Sequence, residues 1–388
     1  MKAQALTAES KNMDVEVLRA LAICMTLFAH LEILIYWGSG FLASLGKTLS
    51  FWGGVDLFFC ISGFVITGSL LRDPPSSAGF AIFAIPFWIR RFWRLTPSAL
   101  IWLIVVIALS APPISQGYLR SATANATDAL YALTYLANFH FWSCYAGIAD
   151  NCGVNQVYWS LSLEEQCYLI IPIALFLLGR RKFAAFLLLV FAAQAFLTRP
   201  ILSLGWFLRT DALALGAMIA LASRYGRLES IEPKLLGNRA IAIFLLLACI
   251  AVAGLFAGAW KSFPLHTTGI ALVSGLLVWI ASYGKAYLGL GKTSYRLWAY
   301  LGSRSYAIYL AHVPIYYLAR PLAGHLGYVP NASHFAAAGY LIAALLTVFI
   351  LAELNYRFVE LPLRNYGRIV ANSWSARQTN REDVAPSS

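Results

Sequence analysis

The stretch Leu18-Arg19-Ala20-Leu21-Ala22-Ile23-Cys24-Met25-Thr26-Leu27-Phe28-Ala29-His30 decides how this chain is read. It is apolar except for a guanidinium near its start and an imidazole at its end. A charged group in hydrocarbon costs roughly 2.5–3.5 kcal/mol on insertion scales. Ionisable residues there therefore face a protein interior or a watery cavity and mark a site. Arg19 and His30 are 11 residues apart. At about 100° per residue they fall within roughly 20° of each other on one helix face, roughly 16 Å apart along the axis. The pattern predicts a site that reaches into a bilayer from an anchored cation near one surface.

The rest of the chain agrees with a membrane setting. Of its 388 residues, 60% are hydrophobic and only 12% are charged, and the mean hydropathy is +0.68. Soluble domains are nearer 45–50% apolar and about 25% charged. A span needs about 20 mostly apolar residues. Ten such stretches are expected, near 14–36, 51–71, 97–112, 159–178, 183–198, 205–223, 239–258, 265–283, 304–320 and 335–356. The expected fold is an all-α polytopic membrane protein whose first stretch is a retained signal anchor.

With the N-terminus inside, 22 of the 29 Lys and Arg residues fall on the cytoplasmic side, 6 fall outside, and Arg19 lies within the first stretch. Because Lys and Arg concentrate on the cytoplasmic face, this asymmetry orients the chain, with both termini inside. The net charge of +12 is then a consequence of topology and calls for no nucleic-acid partner. Residues 1–368 form one membrane domain, and 369–388 read as a polar, disordered cytoplasmic tail. Cys24, Cys60, Cys167 and Cys249 fall within spans as small apolar residues. Cys144 and Cys152 share the long outer loop at 113–158, where an oxidising compartment would permit a disulfide. No cysteine pair has zinc-ligand spacing, and no metal is expected.

Several clusters carry candidate chemistry. Phe87-Trp88-Ile89-Arg90-Arg91-Phe92-Trp93-Arg94-Leu95-Thr96-Pro97 lies between the second and third stretches. Interfacial anchoring by arginine and tryptophan explains such a run. Arg91 and Arg94 would also share a helix face at i, i+3, and two guanidinium forks suit phosphate oxygens. That fits the nucleotide end of a cytosolic cofactor such as coenzyme A. Trp159-Ser160-Leu161-Ser162-Leu163-Glu164-Glu165 opens the fourth stretch. Ser162 and Glu165 have the spacing of a capping box. Adjacent carboxylates at the edge of an apolar span can also orient an acceptor hydroxyl or stabilise a protonated imidazole. His312 lies within the ninth stretch, either as a core histidine bonded to a carbonyl or as a second catalytic group. Arg209 and Asp211 open the sixth, as a local ion pair, an N-cap, or, with Ser160, the polar wall of the same cavity. His140, His266, His325 and His334 lie in or beside outer loops and read as solvated.

Taken together these pieces resemble one family. The run is Arg19-x10-His30, then Gly53-Gly54-Val55-Asp56 through Ser62-Gly63-Phe64, the Arg-Arg-x-x-Arg segment, and Trp159-Ser160-Leu161-Ser162-Leu163-Glu164-Glu165-Gln166. Ser305-Tyr306-Ala307-Ile308-Tyr309-Leu310-Ala311-His312-Val313-Pro314 and Tyr356-Arg357-Phe358-Val359-Glu360-Leu361-Pro362 follow in order. This order is similar to that of the membrane-bound acyltransferase family 3, over about residues 14–368. The chain departs from the family's usual Gly-Leu-Arg opening, with Val17 in place of the glycine.

The resemblance implies ten spans in a bacterial inner membrane and a cytosolic acyl-CoA donor, commonly acetyl-CoA. It implies a hydroxyl acceptor on an extracytoplasmic or lipid-linked carbohydrate, such as lipopolysaccharide O-antigen, exopolysaccharide or peptidoglycan. No fused SGNH-type hydrolase domain is expected in this sequence, so an acyl relay would end in the membrane domain. Under this expectation Arg91 and Arg94 hold phosphates, Arg19 lines the path, and His30 is the general base or an acyl carrier. Glu164, Glu165 and His312 assist. A glycolipid transporter or flippase is the alternative, because intramembrane His, Arg and Glu also mark transport paths. A non-catalytic scaffold fits poorly with so many buried ionisable groups.

Overall fold

The computed structural model describes residues 12–34, 41–72, 79–111, 118–226, 228–325 and 334–384; the side chains of 41–43, 45, 320–338 and 379–384 lie outside that description. Tyr36, in the first apolar stretch, also falls outside it, as do the side chains of His325 and His334. The described residues form helices and no strand. The chain order is α1 (Met13–Ala29), α2 (Phe41–Thr48), α3 (Gly54–Leu70), α4 (Phe80–Ser110), α5 (Ala122–Leu133), α6 (Ala137–Tyr145), α7 (Tyr158–Ala195), α8 (Leu204–Phe207), α9 (Asp211–Tyr225), α10 (Arg239–Ala257), α11 (His266–Ser282), α12 (Lys292–Ser303), α13 (Ser305–His325), α14 (His334–Asn355) and α15 (Leu361–Val384). Helical segments fall on each of the ten apolar stretches. Four helical runs, Phe80–Ser110, Leu204–Tyr225, Arg239–Ala257 and Gly339–Gln378, are long and apolar enough to cross a membrane by length and composition; Gly54–Leu70 and His266–Ser282 are shorter apolar helices.

Two expectations change. The Arg-Arg-x-x-Arg segment is no separate connection: it is the first half of α4, a continuous helix that carries Pro86 and Pro97 internally. The fourth and fifth stretches remain two helical segments of α7 that meet at Gly179, whose φ of 65° and ψ of 171° are non-helical. The tail is not structureless either. α15 passes residue 368 without a break and continues to Val384. It is held to α4 by Tyr366, whose ring meets Trp93 edge-on at 4.8 Å, and by fully buried Ala371.

α1 sits centrally, against α3, α11, α12 and α13. α3 makes its most extensive contact with α9, and glycine makes that crossing possible. A Cβ on Gly63 would lie 2.0 Å from the Leu213 carbonyl oxygen, and one on Gly216 would lie 1.9 Å from that of Cys60. Small residues at facing positions let two backbones approach this closely. Proline leaves a different signature in α7. Pro172 has no N–H for the carbonyl four residues earlier, that of Tyr168. The Trp88 indole N–H of α4 donates to that oxygen at 2.9 Å, so the orphaned acceptor ties α4 to α7.

At the end of the bundle where α7 begins, Asn125 and Asp128 of α5 clamp the segment before it. Asp128 accepts from the backbone N–H groups of Gly153 and Asn155 at 3.0 and 3.1 Å. Cys144 and Cys152 are joined as a disulfide. His140 is not solvated: it is buried, 2.9 Å from Asp128, and stacked on Tyr131 at 4.4 Å. His266 is buried too, against the Trp52 ring at 6.1 Å. Both histidines sit in segments that the sequence reads as outer, but side chains from α5 cover His140 and Trp52, just before α3, covers His266.

Candidate active site

Three adjoining cavities run through the bundle. The first is a vestibule lined by Arg19, Arg72, Arg94, Glu360 and Arg364. The second, a narrow one, lies among α1, α3, α4, α7 and α13 and is lined by Arg19, Ser62, Arg91, Arg94, Ser160, Glu164 and Tyr309. It shares Arg19, Val65, Arg94, Ser305 and Tyr306 with the vestibule. The third holds His30 with Thr26, Glu32, Trp52, Gln156, Trp159, Trp206 and Arg209. It shares Val55 and Tyr309 with the second. The helix-face argument for Arg19 and His30 thus corresponds to a path: both line cavities in this row, Arg19 from within α1 and His30 from its C-terminal end.

His30 and His312, 282 residues apart in sequence, lie side by side. His312 Nε2 is 3.3 Å from His30 Nδ1. His312 is fully buried, and its Nδ1 is 2.7 Å from the Tyr309 carbonyl. That carbonyl can only accept, so His312 Nδ1 carries the proton and its Nε2 is bare. His30 Nδ1 lies 3.0 Å from the Thr26 carbonyl. Facing two acceptors, Thr26 O and His312 Nε2, His30 Nδ1 must be the N–H. The remaining ring nitrogen of His30, Nε2, therefore carries the free lone pair. His30 terminates α1 as its C-cap, and its backbone N–H also bonds the Thr26 carbonyl, which fixes the ring against the helix end.

Other residues singled out from sequence are distributed as follows. Arg91 lines the middle cavity, its guanidinium over the rings of Phe87 (5.4 Å) and Tyr168 (5.1 Å). Arg94, one turn on, faces both the middle cavity and the vestibule. Glu164 faces the same cavity, and its carboxylate accepts from the Ser62 and Tyr168 hydroxyls. Its companion Glu165 lines an adjoining side pocket with Thr96 and Tyr135, which shares Leu95, Leu161, Glu164 and Tyr306 with the middle cavity. No hydrogen bond among the described residues joins either carboxylate to a histidine. The capping box is absent: α7 begins at Tyr158, before Ser162, and the Ser162 hydroxyl instead accepts from the Ala137 N–H at 3.2 Å. The Ser160 hydroxyl pairs with that of Tyr309 at 2.6 Å, where the middle and outer cavities meet.

Arg209 and Asp211 do not pair with each other. Arg209 is fully buried and grips Asp56 through Nε and Nη2 at 2.8 and 3.2 Å. Its guanidinium lies over the rings of Trp206, Trp159 and Trp52 at 4.1, 4.8 and 5.3 Å. Asp211 is bound by Arg199 at 2.7 Å. Sequence reasoning quoted Asp56 without giving it a role. A carboxylate in an apolar 17-residue helix requires a partner, and that signal was available. Tyr309, which lines two cavities and orients His312 through its carbonyl, had no sequence signal beyond its neighbours. His140, Cys144 and Cys152 bring potential metal-ligand atoms within 4.8 Å of one another, but the two sulfurs are bonded to each other and offer no thiolate.

Comparison with known proteins bears on this arrangement. A family model described as "Acyltransferase domain" matches residues 12–353. Peptidoglycan O-acetyltransferase OatA of Listeria monocytogenes is 29% identical, over 92% of this chain and 56% of its own length. The putative peptidoglycan O-acetyltransferase YrhL of Bacillus subtilis is 27% identical, over 90% of this chain and 54% of its own. The putative O-acetyltransferase SACOL0978 of Staphylococcus aureus is 27% identical, over 92% of this chain and 58% of its own. The chain thus spans about half the length of the curated relatives it matches. No solved structure matches it. The chain belongs to the membrane-bound acyltransferase family 3.

Proposed function

We propose that the chain is a bacterial inner-membrane O-acyltransferase of about ten spans, with both termini cytoplasmic. It moves an acetyl group from cytosolic acetyl-CoA to a carbohydrate hydroxyl on the far side of the membrane. One observation carries this reading. A histidine with a free Nε2, held by a second histidine, lies at one end of a row of adjoining cavities whose other end is lined by arginines. The names of the two peptidoglycan O-acetyltransferase relatives favour a cell-wall glycan over lipopolysaccharide or exopolysaccharide as acceptor.

In this reading the donor enters the arginine vestibule, and Arg94 binds its phosphates through charge-assisted hydrogen bonds. The pantetheine arm runs through the middle cavity past Arg91 and Glu164, whose carboxylate, fixed by Ser62 and Tyr168, faces it. The thioester reaches the junction at Tyr309. The sugar lies in the outer cavity, where Trp52, Trp159, Trp206 and Phe207 offer flat apolar faces and Gln156 and Glu32 offer polar groups. His30 Nε2 takes the hydroxyl proton as the sugar oxygen attacks the thioester carbon. The C–S bond then breaks, and the thiolate takes the proton back from the imidazolium. While charged, His30 keeps its Nδ1–H on Thr26 O and His312 Nε2, which stabilises the cation in place. Glu165 takes no part in this step. Arg209, locked by Asp56, holds the tryptophan wall.

The test is release of free coenzyme A by the purified protein in the presence of a saccharide acceptor. His30→Ala should reduce acceptor-dependent release by at least about 10²-fold, the lower range for losing a general base, while the protein stays folded. Unchanged release by that variant would refute the assignment, and acceptor movement without coenzyme A release would point to a flippase.

A further inference from the structure

The arginines of the cavity row fall in a fixed order. Arg72 and Arg364 line the vestibule alone. Arg19 and Arg94 line both the vestibule and the middle cavity, and Arg91 lines only the middle cavity. An extended coenzyme A thioester has an order of its own. Its phosphate monoester, on the ribose 3′ position, is at the outer end. The diphosphate follows, then the pantetheine arm, then the thioester. With the thioester set at His30, that order puts the monoester at the vestibule end of the row, beyond Arg94.

Arg364 is placed there by an irregularity in the chain. The segment Tyr356–Glu360 is a π-helical turn between α14 and α15. Glu360 and Arg364, four apart, then share the face that lines the vestibule. π-Turns within helices occur frequently at functional sites. The Arg364 guanidinium is 5.9 Å from the Tyr356 ring centroid, a ring that also carries the Arg304 guanidinium at 4.2 Å. Arg72 comes from a different element, the residue just past the C-cap of α3. Two guanidinium forks from separate elements suit the three oxygens of a phosphate monoester, each able to bind two of them.

We infer that Arg364 and Arg72 form a phosphate-monoester subsite that holds the 3′-phosphate of the acyl-CoA donor, separate from the diphosphate contact at Arg94. This rests on the donor reading above and adds to it the part of the nucleotide that is recognised. A lipid phosphomonoester at the same surface has the same chemistry and is the competing source.

Titration calorimetry on the full chain in zwitterionic nanodiscs distinguishes these, with coenzyme A and 3′-dephospho-coenzyme A as the two probes. The wild type should bind coenzyme A about tenfold more tightly, the scale of one hydrogen bond to a charged group. Arg364→Ala and Arg72→Ala should each remove most of that preference and leave the affinity for the dephospho form within about twofold, which also shows that the variants are folded. Arg94→Ala should weaken both probes alike. Equal losses on both probes from Arg364→Ala, or a wild type that does not distinguish them, would overturn the subsite and leave the donor reading standing. Variants that change neither affinity but lose retention of phosphatidate would assign the arginines to lipid instead. A wild type that binds neither probe would overturn both.

Discussion

His30 depends on which of its two nitrogens carries the proton, and His312 decides that. With His312 removed, His30 Nδ1–H keeps only the Thr26 carbonyl, and the ring can rotate or change tautomer. His312→Ala should therefore lower kcat by about 10²-fold while leaving KM for acetyl-CoA within about twofold, because no phosphate or pantetheine contact is lost. Steady-state kinetics with varied donor check this split; a rise in KM with kcat unchanged would assign His312 to binding. The proposed base must also be neutral, so kcat/KM should fall once the pH is low enough to protonate the His30 imidazole. The Asp56–Arg209 pair makes a different prediction. Each partner is fully buried, and removing one strands the other. Asp56→Ala or Arg209→Ala should cost about 3–5 kcal/mol, and a Asp56→Leu/Arg209→Met double variant should cost less than either. Chemical unfolding in detergent measures all three.

At the scale of elements, the close crossing of α3 and α9 holds the cavity walls in place. Gly216→Val would put methyl groups where the Cys60 carbonyl now lies, since even a Cβ would sit 1.9 Å from that oxygen. Forcing the helices apart should cost roughly 1–3 kcal/mol and move Ser62 away from Glu164. A thermal midpoint in detergent that does not fall would contradict this. This contact also shows what sequence can and cannot reveal. Apolar length located α1, α3, α9, α10, α11, α13 and α14, because burial in lipid requires continuous hydrophobicity. It could not show that the Arg-Arg-x-x-Arg segment and the following span are one helix, since prolines at 86 and 97 read as breaks and are in fact accommodated. Nor could it foresee that α15 continues past the polar composition of 369–384, because its anchors are a few residues, Tyr366 on Trp93 and buried Ala371.

At the scale of the whole molecule, the middle cavity alone brings together residues from five helices, and only part of that was legible. Arg19 and His30 share one helix, so periodicity alone set them on one face. His30 and His312 meet across 282 positions, which no local pattern reports. The two adjacent glutamates looked equivalent in sequence. Their neighbouring positions on a helix point them about 100° apart; both line the side pocket, and only Glu164 also lines the main path. The proposed orientation predicts that a cysteine introduced at Ser375 of α15 is alkylated from the cytoplasmic side only. The central claim, that a thioester from one side meets an alcohol from the other at His30, is tested most directly in sealed vesicles with radiolabelled acetyl-CoA trapped on the cytoplasmic face and glycan acceptor supplied on the opposite face. The account predicts label on the acceptor with the wild type and none with His30→Ala. Label that appears only when donor and acceptor share one side, or that survives the substitution, would contradict it.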